Sequence, residues 1–162
     1  MEEYKNIVHT FKPVWDKYSK VLVLGTFPSV KSRENNFYYG HPQNRFWKVI
    51  AAVTKCDVPL TVEDKKKMLF DNNIAIWDVI ASCSIKGSSD SSIKDVVVND
   101  LLPILNNSNV NRIYANGAKA YELYMKYSYP YAKREIVKLP STSPANASYK
   151  LDKLIKYWSI IL

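Results

Sequence analysis

Four short apolar runs constrain this chain more than anything else in it: Val21-Leu22-Val23-Leu24, Ile74-Ala75-Ile76-Trp77, Arg112-Ile113-Tyr114-Ala115 and Glu135-Ile136-Val137-Lys138-Leu139. Each is too short for a stable helix and suits a pleated, buried surface, so each is predicted to be a strand. Each gives way to a loop bearing Gly, Pro, Asn, Asp or Ser, and stretches with helical spacing fill most of the intervals. Strands alternating with helices predict βαβ units and an α/β fold. We expect three layers, α/β/α, around a central, mainly parallel four-stranded sheet.

The helical stretches are read in the same way. Residues 4–20 are expected to be a helical lead-in around Ile7, Val8, Phe11, Val14 and Trp15, kinked at Pro13, with His9 a partly buried packing residue. Phe46, Trp47, Ile50 and Val53 share one face of a helix over Asn44–Thr54. Thr61, with Asp64 three residues on, resembles a capping box opening a helix through Leu69 and Phe70. Ser82 to Ser92 reads as a polar loop, followed by a helix over Ile93–Leu105 that Pro103 weakens. A helix through Ala120, Leu123 and Tyr124 follows Asn116-Gly117, and the last, from Ser148, carries Leu151, Leu154, Ile155 and Trp158 on one stripe.

The chain has 162 residues, of which 47% are hydrophobic. That is enough for one well-buried core and too little for two, so residues 1–162 are read as one domain. No apolar run approaches the roughly 18 residues of a membrane span, and the charged start does not resemble a signal peptide. An intracellular, cytoplasmic protein is expected. Cys56 and Cys83 are the only cysteines, and with His9 and His41 the only histidines a closed metal site is not expected. No cofactor is expected, and a monomer is assumed. The net charge of +8 favours polyanions such as nucleic acid, though charge alone suits an ordinary lysine-rich surface equally.

Loops at the carboxyl ends of parallel strands collect along one edge, where open α/β sheets bind ligands. A cleft is therefore predicted from the segments Gly25–Arg45, Asp78–Asp90, Asn116-Gly117 and Pro140–Asn146. No Ser-His-Asp set is evident there, no Gly-x-x-x-x-Gly-Lys loop occurs, and no Gly-x-Gly-x-x-Gly follows a strand. Amides, hydroxyls and aromatics remain, a set suited to a flat polar heterocycle held by stacking and edge hydrogen bonds.

The segments Gly25-Thr26-Phe27-Pro28-Ser29, Tyr39-Gly40-His41-Pro42-Gln43-Asn44-Arg45-Phe46-Trp47 and Leu139-Pro140-Ser141-Thr142-Ser143-Pro144-Ala145-Asn146 resemble the signature loops of the uracil-DNA glycosylase superfamily. The hypoxanthine-DNA (deoxyinosine) glycosylase branch is the nearest in pattern. The Pro-x-Asn-Arg-Phe-Trp segment, Pro42 to Trp47, is also similar to mismatch-specific uracil/thymine glycosylases. The resemblance implies hydrolysis of the bond between a deaminated base and deoxyribose in DNA, hypoxanthine favoured, leaving an abasic site. The alternatives are a uracil glycosylase acting on G:U mismatches and a non-catalytic nucleic-acid-binding module on the same fold.

Many members of the superfamily carry Asn or Asp at the third position of the first motif, where this chain has Phe27. The resemblance places the catalytic asparagine at Asn44 instead, a residue that reads equally as a helix N-cap. His41 is either a general acid or donor to the leaving base, or a loop brace. Phe27 is expected to stack on the base or to plug the core, with the amides after Gly25, including Thr26, meeting a base carbonyl. Gln43, Asp78 and Asn116 are candidates for reading the base edge, each with an ordinary reading as a surface, capping or turn residue. Ser29, Ser141, Thr142, Ser143 and Pro144 are expected to contact DNA. No motif places a lysine as a Schiff-base nucleophile, so a monofunctional glycosylase is expected.

Overall fold

The computed structural model describes residues 3–9 and 11–162. In chain order its elements are β1 (Lys5–Val8), β2 (Val21–Gly25), α1 (Val30–Asn35), α2 (Phe46–Thr54), α3 (Val62–Asp71), β3 (Ile74–Asp78), β4 (Ile80–Ile85), β5 (Lys94–Val98), α4 (Leu102–Asn106), β6 (Arg112–Asn116), α5 (Ala118–Leu123), α6 (Tyr129–Ala132), β7 (Ile136–Leu139) and α7 (Leu151–Trp158). A π-helical segment, Tyr124–Ser128, joins α5 to α6.

The four apolar runs form one sheet in the order β3-β2-β6-β7, every pair parallel. Alternation along β2 sends Val21 and Val23 into one core and Leu22 and Leu24 into the other, which is why this central strand is apolar at every side chain. The first core packs α2 and α7 on the sheet through Phe46, Ile50, Leu154 and Trp158. The second takes Leu101, Ile104, Ala120 and Leu123 from the opposite side. The three-layer arrangement read from the sequence is therefore the observed one. The chain leaves β2 toward β3 on one side and later returns to β6 on the other, so the sheet's switch point lies between the carboxyl ends of β2 and β6.

Three expectations fail. Residues 4–20 are not a helix: β1 forms there, and Val14 then bridges the edge of β3 by mutual hydrogen bonds of 3.0 Å with Ile76. Ser82–Ser92 is not all loop, because Ile80–Ile85 is β4, which pairs antiparallel with both β1 and β5. The helix expected over Ile93–Leu105 is strand β5 followed by the five-residue α4. The β-branched run Val96-Val97-Val98 loses side-chain freedom in a helix and suits a strand, and Pro103 is tolerated because it sits in the first turn of α4. This three-stranded antiparallel sheet shares the second outer layer with α4 and α5, packing Ile80, Cys83 and Ile85 into the second core. Among the described residues no helix is long and apolar enough to cross a membrane.

Candidate active site

A cavity of about 470 Å³ opens at the switch point. Its lining comes from the loop after β2, the turn before α2, the ends of β3 and β6, the Ser88–Ser91 turn and the loop after β7. The predicted cleft segments therefore meet around one space.

One wall is a network of amides and hydroxyls. Asn44 lies just before α2, and its Oδ1 accepts the Phe46 backbone N–H at 2.9 Å and the Thr142 hydroxyl at 2.9 Å. Thr142 Oγ1 accepts from Asn116 Nδ2 at 3.0 Å, while the Thr142 backbone N–H donates to Asn116 Oδ1 at 3.0 Å. Backbone N–H groups can only donate, so they fix the orientation of both amides. Asn44 Oδ1 is thus occupied twice, and its Nδ2 is left with no acceptor among the described residues, in a side chain that borders the cavity. Asn44 is not the N-cap of α2, a place that Arg45 takes, but its oxygen does accept the first helical N–H, and that bond, with the one from the Thr142 hydroxyl, leaves the N–H₂ free of the described residues at the cavity's border.

Arg45 fastens this wall. Its backbone N–H and its Nε both donate to the Thr142 carbonyl, at 3.1 and 3.3 Å. Its terminal nitrogens donate to the carbonyls of Ser143, at 2.6 Å, Asn146, at 3.2 Å, and Tyr149. A planar guanidinium suits such a fan of carbonyls. Among these contacts there is no carboxylate, and every one ties Arg45 to the segment that follows β7.

The facing wall has fewer ties. Gly25 ends β2, and a Cβ there would lie 2.4 Å from Asp78 Oδ1 and 3.0 Å from the Tyr39 hydroxyl. Asp78, at the end of β3, is buried, and its Oδ2 accepts from His9 Nε2 at 2.8 Å. The His9 ring sits among Phe11, Tyr38 and Phe27, with centroids 4.8, 5.8 and 6.0 Å away. Tyr39 adopts φ +54°, an uncommon conformation for a bulky residue. Its ring stacks on Phe46 at 3.9 Å and 18°, and it borders the cavity. Its buried hydroxyl has no partner among the described residues, and burial with Asp78 nearby pushes its ionisation upward. Burial likewise raises Tyr38, whose hydroxyl donates to the Lys12 carbonyl at 2.9 Å.

The remaining candidates divide. Gly25, Thr26, Phe27, His41, Asn44, Asp78 and Asn116 all border the cavity. His41 Nδ1 accepts the Gln43 backbone N–H at 3.1 Å, so a neutral ring carries its proton on Nε2. Gln43 itself is exposed and is not part of the lining, because the turn directs it to solvent. Ser29 borders the cavity while capping α1, its hydroxyl accepting from Ser32 N at 3.1 Å. Ser141, Ser143 and exposed Pro144 form the mouth. Thr142 corrects an expectation: it is fully buried with its hydroxyl engaged on both sides, so it links the network and does not reach a phosphate. Asp90 stands at the rim, where the surrounding protein holds its carboxyl up to about 6, against the opposing pull of Lys119.

Sequence reading missed His9, Tyr39 and Arg45. Tyr39 sits beside Gly40 inside the long motif, which was a usable signal. Arg45 lies in the same motif, but its role could not be read there, because its partners are backbone carbonyls about a hundred residues away.

The model of the uracil DNA glycosylase superfamily matches residues 13–161. The chain belongs to this superfamily. Its members are DNA glycosylases, hydrolases of N-glycosyl bonds, and this chain is one of them. It is 34% identical over 148 residues to the hypoxanthine DNA glycosylase of Methanosarcina acetivorans, covering 88% of this chain and 90% of that protein. It is 31% identical over 119 residues to the hypoxanthine DNA glycosylase of Methanosarcina barkeri, covering 69% and 72%. A solution NMR structure from Methanosarcina acetivorans, provisionally designated a uracil DNA glycosylase, superposes with a TM-score of 0.80 at 32% identity over 93% of each chain. The glycosylase's parallel sheet and cavity are thus described on a shared fold.

Proposed function

We propose that this glycosylase hydrolyses the bond between hypoxanthine and deoxyribose in DNA and leaves an abasic site. The observation that carries the reading is the free N–H₂ of Asn44, held by a saturated oxygen and bordering a cavity at the sheet's switch point. The names of the two curated relatives favour hypoxanthine, and 470 Å³ admits a two-ring base.

The target nucleotide must leave the stack for its glycosidic carbon to be reached. As the C1′–N9 bond breaks, its electron pair goes to the departing base, and positive charge develops on the sugar. Water then adds its oxygen to C1′ and sheds one proton, which ends on the departing base, so that the products are the neutral base and a hydroxyl at C1′. An N–H fixed toward the leaving base strengthens as that negative charge grows, which is how a single donor accelerates the step. In this reading Asn44 Nδ2 supplies that donor, and His41, which borders the cavity and keeps Nε2 unengaged by the described residues, supplies a second. The Tyr39 ring, backed by Phe46, offers a stacking face, and Phe27 offers another. The basic surface suits DNA. Among the described residues no lysine lines the cavity, which supports a monofunctional hydrolase.

The test uses labelled duplexes carrying hypoxanthine, uracil or mismatched thymine, incubated with the protein and with Asn44→Ala, then treated with alkali. Hypoxanthine is expected to be released fastest, with Asn44→Ala slower by about 10²–10³-fold, the usual effect of deleting one such donor. The provisional name of the structural neighbour favours a second reading, in which uracil is released fastest. Release of no base with DNA binding retained overturns both.

A further inference from the structure

We propose that His9 sets base selectivity by holding Asp78 with one carboxyl oxygen turned to the extruded base, where it accepts the lactam N–H that deamination creates. The inference rests on the hypoxanthine reading above.

The two oxygens of Asp78 are in different situations. Oδ2 takes the His9 Nε2–H at 2.8 Å, with both side chains almost completely buried, at 2% and 5% exposure. Oδ1 makes no hydrogen bond to the described residues, and Asp78 borders the cavity. Its position depends on Gly25, since any Cβ there would lie 2.4 Å from Oδ1. The backbone around Asp78 is pinned independently. Asn99 Nδ2 donates to the carbonyls of Asp78, at 2.9 Å, and Ile80, at 3.2 Å, and Val79 N–H donates to the Gly25 carbonyl at 2.9 Å. Only the side-chain torsions are left to be set, and His9 is their partner.

The route by which His9 arrives gives the antiparallel sheet a function. β4 begins two residues after Asp78 and pairs with β1 in the register Val8↔Ser82, and the His9 N–H continues the ladder to the Ala81 carbonyl at 2.7 Å. The ladder thus delivers the imidazole back over the end of β3, where three aromatic rings hold it.

Chemistry supplies the selectivity. Adenine presents a bare nitrogen at N1, an acceptor; its deamination product presents N1–H beside a carbonyl, a donor. A carboxylate oxygen only accepts. It pairs with hypoxanthine and leaves an unpaired acceptor against adenine, and a buried site built for one hydrogen bond rejects partners that lack it strongly. Uracil and cytosine differ in the same sense at N3.

The test compares single-turnover release of hypoxanthine and of unsubstituted purine, which has the same ring shape but no N1–H, from otherwise identical duplexes. The protein, His9→Leu and His9→Gln are assayed, with circular dichroism at the assay temperature reporting the folded fraction. The hypoxanthine-to-purine rate ratio is expected to fall about ten- to hundred-fold in His9→Leu, the effect of one misplaced buried hydrogen bond, and to recover in His9→Gln, which keeps a side-chain N–H. Both rates falling together, with the ratio unchanged, overturns the proposal and leaves His9 as a packing residue. A wild-type protein that releases no hypoxanthine removes the activity reading itself, an outcome distinct from an unchanged ratio.

Discussion

The two walls of the cavity are built on different plans. The wall of Asn44, Thr142 and Asn116 is a closed network in which each amide is oriented by a backbone N–H, and Arg45 adds bonds to four carbonyls behind it. On the other wall the Asp78 backbone is pinned by Asn99, but its carboxylate has one side-chain partner among the described residues, His9, and depends on the absence of a Cβ at Gly25. The redundant wall holds the Asn44 amide in one orientation by several bonds. The Asp78 carboxylate depends on a single partner, so under the proposal above small changes there are expected to alter recognition before they alter folding.

The largest way to break this comparison is Gly25→Ala. Its new methyl group must displace Asp78 Oδ1 from 2.4 Å, and the short side chain is held by His9, so it has little room to yield. Hypoxanthine release in single-turnover assays is expected to fall at least about ten-fold, the cost of one lost buried hydrogen bond, while the far-ultraviolet spectrum stays unchanged. Release at the wild-type rate would show that Oδ1 does not need its observed position.

On the opposite wall, Arg45→Lys tests redundancy. Lysine keeps the charge but not the planar fork, so most of the bonds to the loop after β7 are lost. A loss of about 2 kcal/mol is expected, on the scale of hydrogen bonds to charged groups. That corresponds to a fall in melting temperature of roughly 4–8 °C. An unchanged melting temperature would mean that Asn44, Thr142 and Asn116 hold the loop unaided.

The smallest effect concerns Asp90 at the rim. Its folded value of about 6 lies above the ordinary 3.8, so the folded protein binds a proton that the unfolded chain has released between those values. Its contribution to stability is therefore fully present below about pH 4 and is lost as pH rises through 6. Asp90→Asn is expected to match wild type in melting temperature near pH 4 and to exceed it slightly above pH 6. The gain is small because the side chain is open to water on one side and screened. A difference that shrank with rising pH would contradict the assignment.

The contrast between the walls also tracks what the sequence made legible. The parallel sheet was readable because each strand is buried on both faces and so spells a continuous apolar run, as in Val21–Leu24. Asn44 was readable through the long motif and Asn116 through its place at a strand end. The antiparallel sheet was not. Ser82 and Ser84 made β4 look like a loop, and β1 is a four-residue strand whose partners lie nearly eighty residues away. A strand stabilised by distant pairing leaves little trace in local pattern. His9 was hidden for the same reason, since nothing near it in sequence indicates Asp78.

The most direct test of the central claim is single-turnover release of hypoxanthine by Asn44→Asp. A carboxylate at this position keeps an oxygen for the Phe46 N–H and the Thr142 hydroxyl but replaces the free N–H₂ with a second acceptor. If Asn44 acts by donating to the departing base, Asn44→Asp is as inactive as Asn44→Ala, about 10²–10³-fold below wild type. If it retains the wild-type rate or exceeds it, the residue works as an acceptor for water, and the orientation argued here is not the one catalysis uses.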